Sequence, residues 1–353
     1  MSTPTVAVIS MGGTISCAPS DDDLGGLVPT HDSGSSLLIE GVTVEPVSWS
    51  LTDSAEITFT EMIQLAHRIK DLAAGGVDGV VITQGTDTID ETAYILSLLR
   101  PLDRPVVVTG AMRAPTLAGS DAQMNLHSAV VTAIAPELPS VTAGAVVVMN
   151  EQIHSAKWVQ KSHTQRIDAF LSGEYGALGV VSEGRPVFLR RDPEPVIVPL
   201  LDSLGAASPA SEPDGSGAEA GGAPEAEANV ALLTIPMDHD SKLISAVLGL
   251  GYDGLVIEGM GGGHVNGPTA VALGDVARSV PVVFSSRTRA GAVLTNTYGS
   301  PGAELDLVQR GCIPSGLLTA LKARVLLSLL LRAGYTPGRI REAVEAEGGT
   351  RFT

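Results

Sequence analysis

The chain has 353 residues, 44% of them hydrophobic and 3% aromatic, and a formal net charge of −17. That length exceeds one typical domain and predicts two, with cores of Val, Leu, Ile and Ala. The acidity argues against nucleic acid and anionic membrane surfaces as partners. Two cysteines, Cys17 and Cys312, make neither a disulfide framework nor a zinc site, and reduced thiols in a cytoplasmic protein are the simpler reading. No basic and apolar leader precedes the first strand, so no signal peptide is expected. No run of about 18 apolar residues suggests a membrane span.

Val6 to Ser10 is an apolar strand that runs into Met11-Gly12-Gly13-Thr14. Paired glycines permit positive φ or a close approach of backbone to a ligand. The pattern is neither G-x-G-x-x-G nor a P-loop, so on its own it reads as a tight strand exit. Ala18 to Ser36 is rich in Asp, Gly, Ser and Pro and reads as a long surface loop, of a length often used for lids. Val42 to Trp49 alternates like a strand, and Leu51 to Ala55 is a polar turn. Thr60 is expected to cap a helix carrying Met62, Ile63, Leu65, Ala66 and Ile69.

Val80-Val81-Ile82-Thr83 is a β-branched run of the kind that forms a buried strand, broken by Gly85. A helix with Ala93, Ile95, Leu96, Leu98 and Leu99 follows. Thr88 stands three residues before Glu91, the spacing of a capping box. Gly85, Thr86 and Asp87 therefore occupy a turn between a strand's C-terminal end and a helix N-terminus, where ligands bind in open α/β sheets. Two readings stand side by side: a catalytic or binding cluster, or a turn whose polar residues only satisfy backbone donors.

Val106 to Thr109 is another strand, followed by the turn Gly110 to Arg113. Ser120-Asp121 precedes a helix with Met124, Leu126, Ala129 and Val130. Ala145 to Met149 is a fifth strand and leads into a polar stretch, Asn150 to Phe170, containing His154, Lys157, Lys161 and His163. His154 and His163 are expected at the surface or at a subunit contact. Strands alternating with helices predict a parallel sheet covered on both faces.

Ser203 to Ala228 is made of Ala, Gly, Ser, Pro, Glu and Asp with one leucine and reads as a flexible acidic linker. The expected architecture is α/β throughout. A larger N-terminal domain, 1–202, carries a mostly parallel sheet flanked by helices; the linker spans 203–228; a smaller α/β domain spans 229–353. Its strands are Val230 to Ile235, Gly254 to Ile257 and Val282 to Phe284. Its helices lie around Leu243 to Leu250 and over Leu317 to Leu331, the latter with Lys322 and Arg324 outward. Asp238-His239-Asp240 looks metal-like, but three adjacent residues do not converge on one ion.

Taken together, these segments resemble the bacterial-type L-asparaginase/glutaminase family, amidohydrolases with a threonine nucleophile. The residues that carry the resemblance are Gly12-Gly13-Thr14-Ile15, Asp53-Ser54, Gly85-Thr86-Asp87-Thr88 with Glu91-Thr92-Ala93, and Gly110-Ala111-Met112-Arg113. Met149-Asn150 with Lys161, Ser285-Ser286-Arg287 and Leu321-Lys322-Ala323-Arg324 add to it. The resemblance implies that Thr14 attacks a side-chain amide carbonyl and that Thr86, Asp87 and Lys161 complete the catalytic group. It implies substrate contacts from Gly13, Asp53, Ser54, Gly85 and Ala111, and a small amino-acid amide, asparagine first, as substrate. Glutamine or another amide is the alternative, as is a weakly active binding module. No metal or organic cofactor is implied. The family builds its sites at contacts in a homodimer or homotetramer.

The chain departs from the family pattern in places. The first loop commonly supplies a tyrosine, but the tyrosines here are Tyr94, Tyr175, Tyr252, Tyr298 and Tyr335, none of them in that loop. Ala55, Gly262 and His264 replace polar residues common in relatives. Tyr298 lies where some relatives contribute an acidic residue from a neighbouring subunit, and it is expected to contact substrate.

Overall fold

The structure is a computed structural model that describes residues 3–19, 27–29, 39–192, 195, 204 and 227–349. The expected lid, 18–36, and the acidic stretch, 203–228, lie largely outside those residues. The chain divides into two compact units, Met1–Leu201 and Asp202–Thr353.

The first unit is built on an eight-stranded sheet. Its first strand is β1 (Thr5–Ser10), followed by a small hairpin of β2 (Cys17–Pro19) and β3 (Leu27–Pro29). Next come β4 (Thr43–Ser48), β5 (Gly79–Thr83), β6 (Val107–Thr109), β7 (Val146–Met149) and β8 (Gln152–Ser155). A separate pair follows, β9 (Gln160–Lys161) with β10 (Phe170–Leu171), and then β11 (Gly179–Ser182) and β12 (Arg185–Phe188). The sheet order is β4-β1-β5-β6-β7-β8-β11-β12. From β4 to β7 it is parallel. Asn150 and Glu151, at φ 49 and 59, then form a two-residue hairpin turn that matches the strand twist. Beyond it β8, β11 and β12 pair antiparallel. This extension hid in the sequence because β8 alternates Ile153 and His154 with polar neighbours, which mimics a loop.

The central strands read as continuous apolar runs because both faces are covered. Val6, Val8, Val81, Val107, Val146 and Val148 meet Leu126, Ala129, Val130 and Ala133 of helix α3 (Ala122–Ala133). Met124 points outward, half exposed. Helices α1 (Phe59–Ala74) and α2 (Ile89–Leu99) pack on each other, and α2 packs on β6 and β7. Thr58, not Thr60, caps α1: its side chain accepts from Glu61 N at 3.1 Å. The acid three residues on selects Thr58, as a capping box requires. Strand β4 forms the edge and carries Pro46, which cannot extend the ladder.

His154 is a core residue, 1% exposed, and not a surface one. Its Nδ1 meets Ser172 Oγ at 2.9 Å, while Nε2 is buried without a partner. Burial pulls its pKa down to about 4. The folded state therefore favours neutral imidazole, and the stabilisation is present above the unfolded value of 6.5 and lost as pH falls. Between pH 7 and pH 5 the first unit is expected to lose about 2 kcal/mol from this group. Urea midpoints at the two pH values measure it, and His154→Gln should flatten the difference.

The second unit holds four parallel strands in chain order: β13 (Val230–Thr234), β14 (Gly254–Gly259), β15 (Val282–Ser286) and β16 (Ile313–Pro314). One face buries Leu255, Ile257, Val282 and Phe284 against Ile244, Leu273, Val276 and Leu307 from its helices. Helix Ala320–Arg332 also packs on β13, β14 and β15. Lys322, expected outside, is 1% exposed. It shares a helical stripe with the buried Leu326 and Leu329, and its apolar stem suits that position. Arg324 Nε reaches Val230 O at 3.1 Å. No helix among the described residues is long and apolar enough to cross a membrane.

Candidate active site

Strands β4, β1, β5 and β6 lie side by side and parallel, so the turns after them emerge on one edge of the sheet. The chain places β4 on one side of β1 and β5 on the other. That reversal is a switch point, where open α/β sheets leave a crevice. Four turns meet there: Met11 to Thr14, Leu51 to Ser54, Gln84 to Thr88, and Gly110 to Arg113.

Missing side chains let the turns close on one another. Gly13, at φ 87, lies against the Gln84–Gly85 peptide so closely that a Cβ would overlap the Gly85 amide nitrogen. A Cβ on Gly85 would sit 2.7 Å from Ser54 Oγ. The Thr14 turn, the Thr86 turn and the Ser54 turn thus share one seam of backbone. Gly13 O accepts from Ser16 N at 3.0 Å, Ser16 Oγ at 3.1 Å and Cys17 Sγ at 3.2 Å. These bonds fix the short helical turn Thr14–Ser16 that begins with Thr14, which is itself half-buried. Burial, and then the nearby Asp53 carboxylate, push the Cys17 thiol above its ordinary value, so it stays protonated.

On the Thr86 side, Lys161 Nζ donates to Thr86 Oγ1 at 2.8 Å and to Asp87 Oδ1 at 2.6 Å. Thr86 is buried, whereas the Asp87 side chain is 73% exposed and keeps an open side. The exposed pair adds little stability; its value is in holding the ammonium on the hydroxyl. Lys161 is delivered by β9–β10, where it pairs with buried Phe170. Ser162 N–H and Oγ both donate to Ala169 O, at 2.6 and 2.8 Å, and close that hairpin.

Thr88 occupies the N-cap of α2 but makes no side-chain cap bond. Its hydroxyl donates instead to Ser54 O at 2.9 Å, across 34 residues of sequence. The capping-box expectation is therefore corrected: the spacing is present, and tertiary structure uses the hydroxyl elsewhere. The turn holding the fully buried Ala111 is pinned by Asp121, whose carboxylate accepts from Met112 N at 3.0 Å and Arg113 N at 2.9 Å. Asn125 Nδ2 donates to Asp121 and to Gly110 O, and its Oδ1 accepts from Asn150 N at 2.8 Å. Sequence reasoning took Asp121 for a helix start and missed Asn125. The one signal was their i, i+4 spacing, which puts both on the same side of α3.

Gly13, Thr14, Asp53, Ser54, Gly85, Thr86, Asp87, Ala111 and Lys161 all belong to the first unit and lie on or beside these turns. Ser54 is buried, and Asp53 is exposed beside it. Tyr298 belongs to the second unit and is 53% exposed. Its backbone N–H donates to Glu304 Oε1 at 2.5 Å, and its ring meets His264 edge to face at 5.4 Å. Glu304 is fully buried and also takes Thr297 N–H and His264 Nε2. Burial would raise its carboxyl, but these donors outweigh it and hold it below the ordinary range. His239 Nδ1 meets Thr269 Oγ1 and Ser241 N, both at 3.1 Å. Among the described residues no three His, Cys, Asp or Glu side chains are grouped to hold a metal ion.

A threonine hydroxyl bonded to a lysine beside the C-terminal ends of parallel strands is an arrangement suited to an α/β enzyme. The chain belongs to the asparaginase family: "Asparaginase, N-terminal" matches residues 5–194 and "Glutaminase/Asparaginase C-terminal domain" matches residues 229–344. It is 34% identical to an L-asparaginase of Bacillus licheniformis over 94% of this chain and 97% of that one. It is 35% identical to a probable L-asparaginase of Deinococcus radiodurans over 96% and 97%. It is also similar to the crystal structure of a probable cytoplasmic L-asparaginase from Campylobacter jejuni. That match has a TM-score of 0.75 and 29% identity and covers 97% of this chain and 99% of the other.

Proposed function

We propose that this chain hydrolyses L-asparagine to L-aspartate and ammonia through an acyl-enzyme on Thr14. The observation that carries the mechanism is the seam: Gly13, next to Thr14, lies on Gly85, next to a Thr86 hydroxyl that Lys161 already holds. A threonine hydroxyl is a weak nucleophile and needs a proton acceptor within reach. Thr14 Oγ attacks the amide carbonyl and passes its proton to Thr86 Oγ1 as the Thr86 hydroxyl proton moves to the departing ammonia, while Lys161 Nζ, donating to Thr86 Oγ1, holds that hydroxyl in place. Backbone N–H groups around Thr86 and Ala111 stabilise the oxyanion. Water then releases aspartate from the ester.

The substrate's amino-acid end has partners on the same edge. Ser54 and the Asp53 backbone receive the α-carboxylate, and the open side of Asp87 receives the α-amino group. The test is ammonia release from asparagine, glutamine and small amides. Asparagine should be fastest, and release from none of them would overturn the reading. A cytoplasmic location fits the Campylobacter relative and two free, buried cysteines.

The family resemblance implies a homo-oligomer, and we assign Tyr298 to a contact with substrate in a site of a second copy of the chain. Tyr298→Phe is expected to lower kcat about tenfold with the oligomer preserved, the scale of one lost hydrogen bond. Kinetics and sedimentation measured together decide it, and unchanged kinetics or a fully active monomer would sink the assignment.

A further inference from the structure

Gln84 closes β5 and is completely buried. Its amide nitrogen donates to Gly85 O and to Thr88 Oγ1, each at 3.3 Å, and Thr88 Oγ1 donates onward to Ser54 O at 2.9 Å. Gly85 O can only accept, so the orientation of the amide is fixed. The Gln84 Oε1 atom is thereby left buried with no partner, a net cost to the fold that an apolar side chain would avoid. What the amide provides in return is a connection. It joins the Ser54 turn to the Gly85–Thr86 peptide through a single threonine hydroxyl.

We propose that Gln84 and Thr88 are positioning residues that fix the distance between the Ser54 turn and the Thr86 turn, and so select asparagine over its one-methylene-longer homologue glutamine. The inference rests on the function proposed above, which puts the α-carboxylate at Ser54 and acyl transfer at the Thr14–Thr86 seam. With both ends held, an extra methylene displaces the amide carbonyl from the nucleophile. A rigid site converts such a mismatch into roughly 10- to 200-fold discrimination, whereas a loose one gives it up. Ser54 packs directly on Gly85, so no side chain cushions the spacing.

Thr88→Val keeps the shape and removes the hydroxyl. Gln84→Leu removes the amide together with its orphaned oxygen. Both are expected to lower the asparagine-to-glutamine ratio of kcat/KM at least about tenfold, while Thr88→Ser keeps the ratio within about threefold of the parent. A purely structural role would depress both substrates together and leave the ratio unmoved. A ratio within twofold of the parent in both variants, with melting temperatures preserved, overturns the proposal. Amide hydrogen exchange gives a readout that needs no activity. Exchange at 54–56 and at 85–88 should speed up together in Thr88→Val and Gln84→Leu. If the parent releases no ammonia from either amide, the function reading fails on its own. In that case unchanged exchange in both variants also removes the relay, and faster exchange keeps it.

Discussion

Thr14→Ala is expected to lower kcat for ammonia release by at least about 10⁴-fold while the protein folds normally. The size follows from what the change removes. On the proposed mechanism no acyl-enzyme forms without the hydroxyl, and what remains is binding and oxyanion stabilisation acting on water. The fold should survive because the bonds that shape this turn do not involve the Thr14 side chain. They run from Ser16 and Cys17 to the Gly13 carbonyl. The measurement is a coupled ammonia assay beside a thermal melt. Near-parental activity with an unchanged melt would show that the nucleophile lies elsewhere.

Lys161→Met is expected to cost about 10³-fold in kcat, with a smaller change in KM. Methionine matches the length of the lysine stem but offers no ammonium to Thr86 or Asp87. If Thr86 and Lys161 act as one proton-handling unit, Thr86→Val should fall by a similar factor. The double variant should then be no worse than the weaker single one, since groups acting as a unit fail together. Additive losses would mean that the two residues serve separate steps, and the 2.8 Å bond between them would be a structural contact only.

Much of this site was legible because its key residues follow strands that end abruptly. Valine and isoleucine runs announce buried strands, and the glycines after Ser10 and Gln84 mark where each run breaks. The pairing of Lys161 with Thr86 could not be read from spacing, because 75 residues separate them. Thr88 shows the limit most clearly. A threonine three residues before a glutamate is a local signal, yet its hydroxyl goes to Ser54 O, which no local window contains. Lys322 misled in another way: a charge on an apolar helix suggests the outer face, but the helix packs on both the sheet and helix Pro337–Glu347 and buries most of its circumference. The antiparallel strand β8 was missed because its turn, Asn150-Glu151, lacks the glycine that usually marks it.

The long separation between Lys161 and the two threonine turns has a consequence during synthesis. Domains fold as units, N-terminal ones first, as the chain emerges at about 5–20 residues per second. The 75 residues between Thr86 and Lys161 therefore take about 4–15 seconds to appear. For that interval the emerging chain contains Thr86 without the lysine that bonds it. Even after Lys161 emerges, Phe170 must follow before β9 and β10 can pair. A chain stalled short of that hairpin lacks the element that places Lys161 on Thr86.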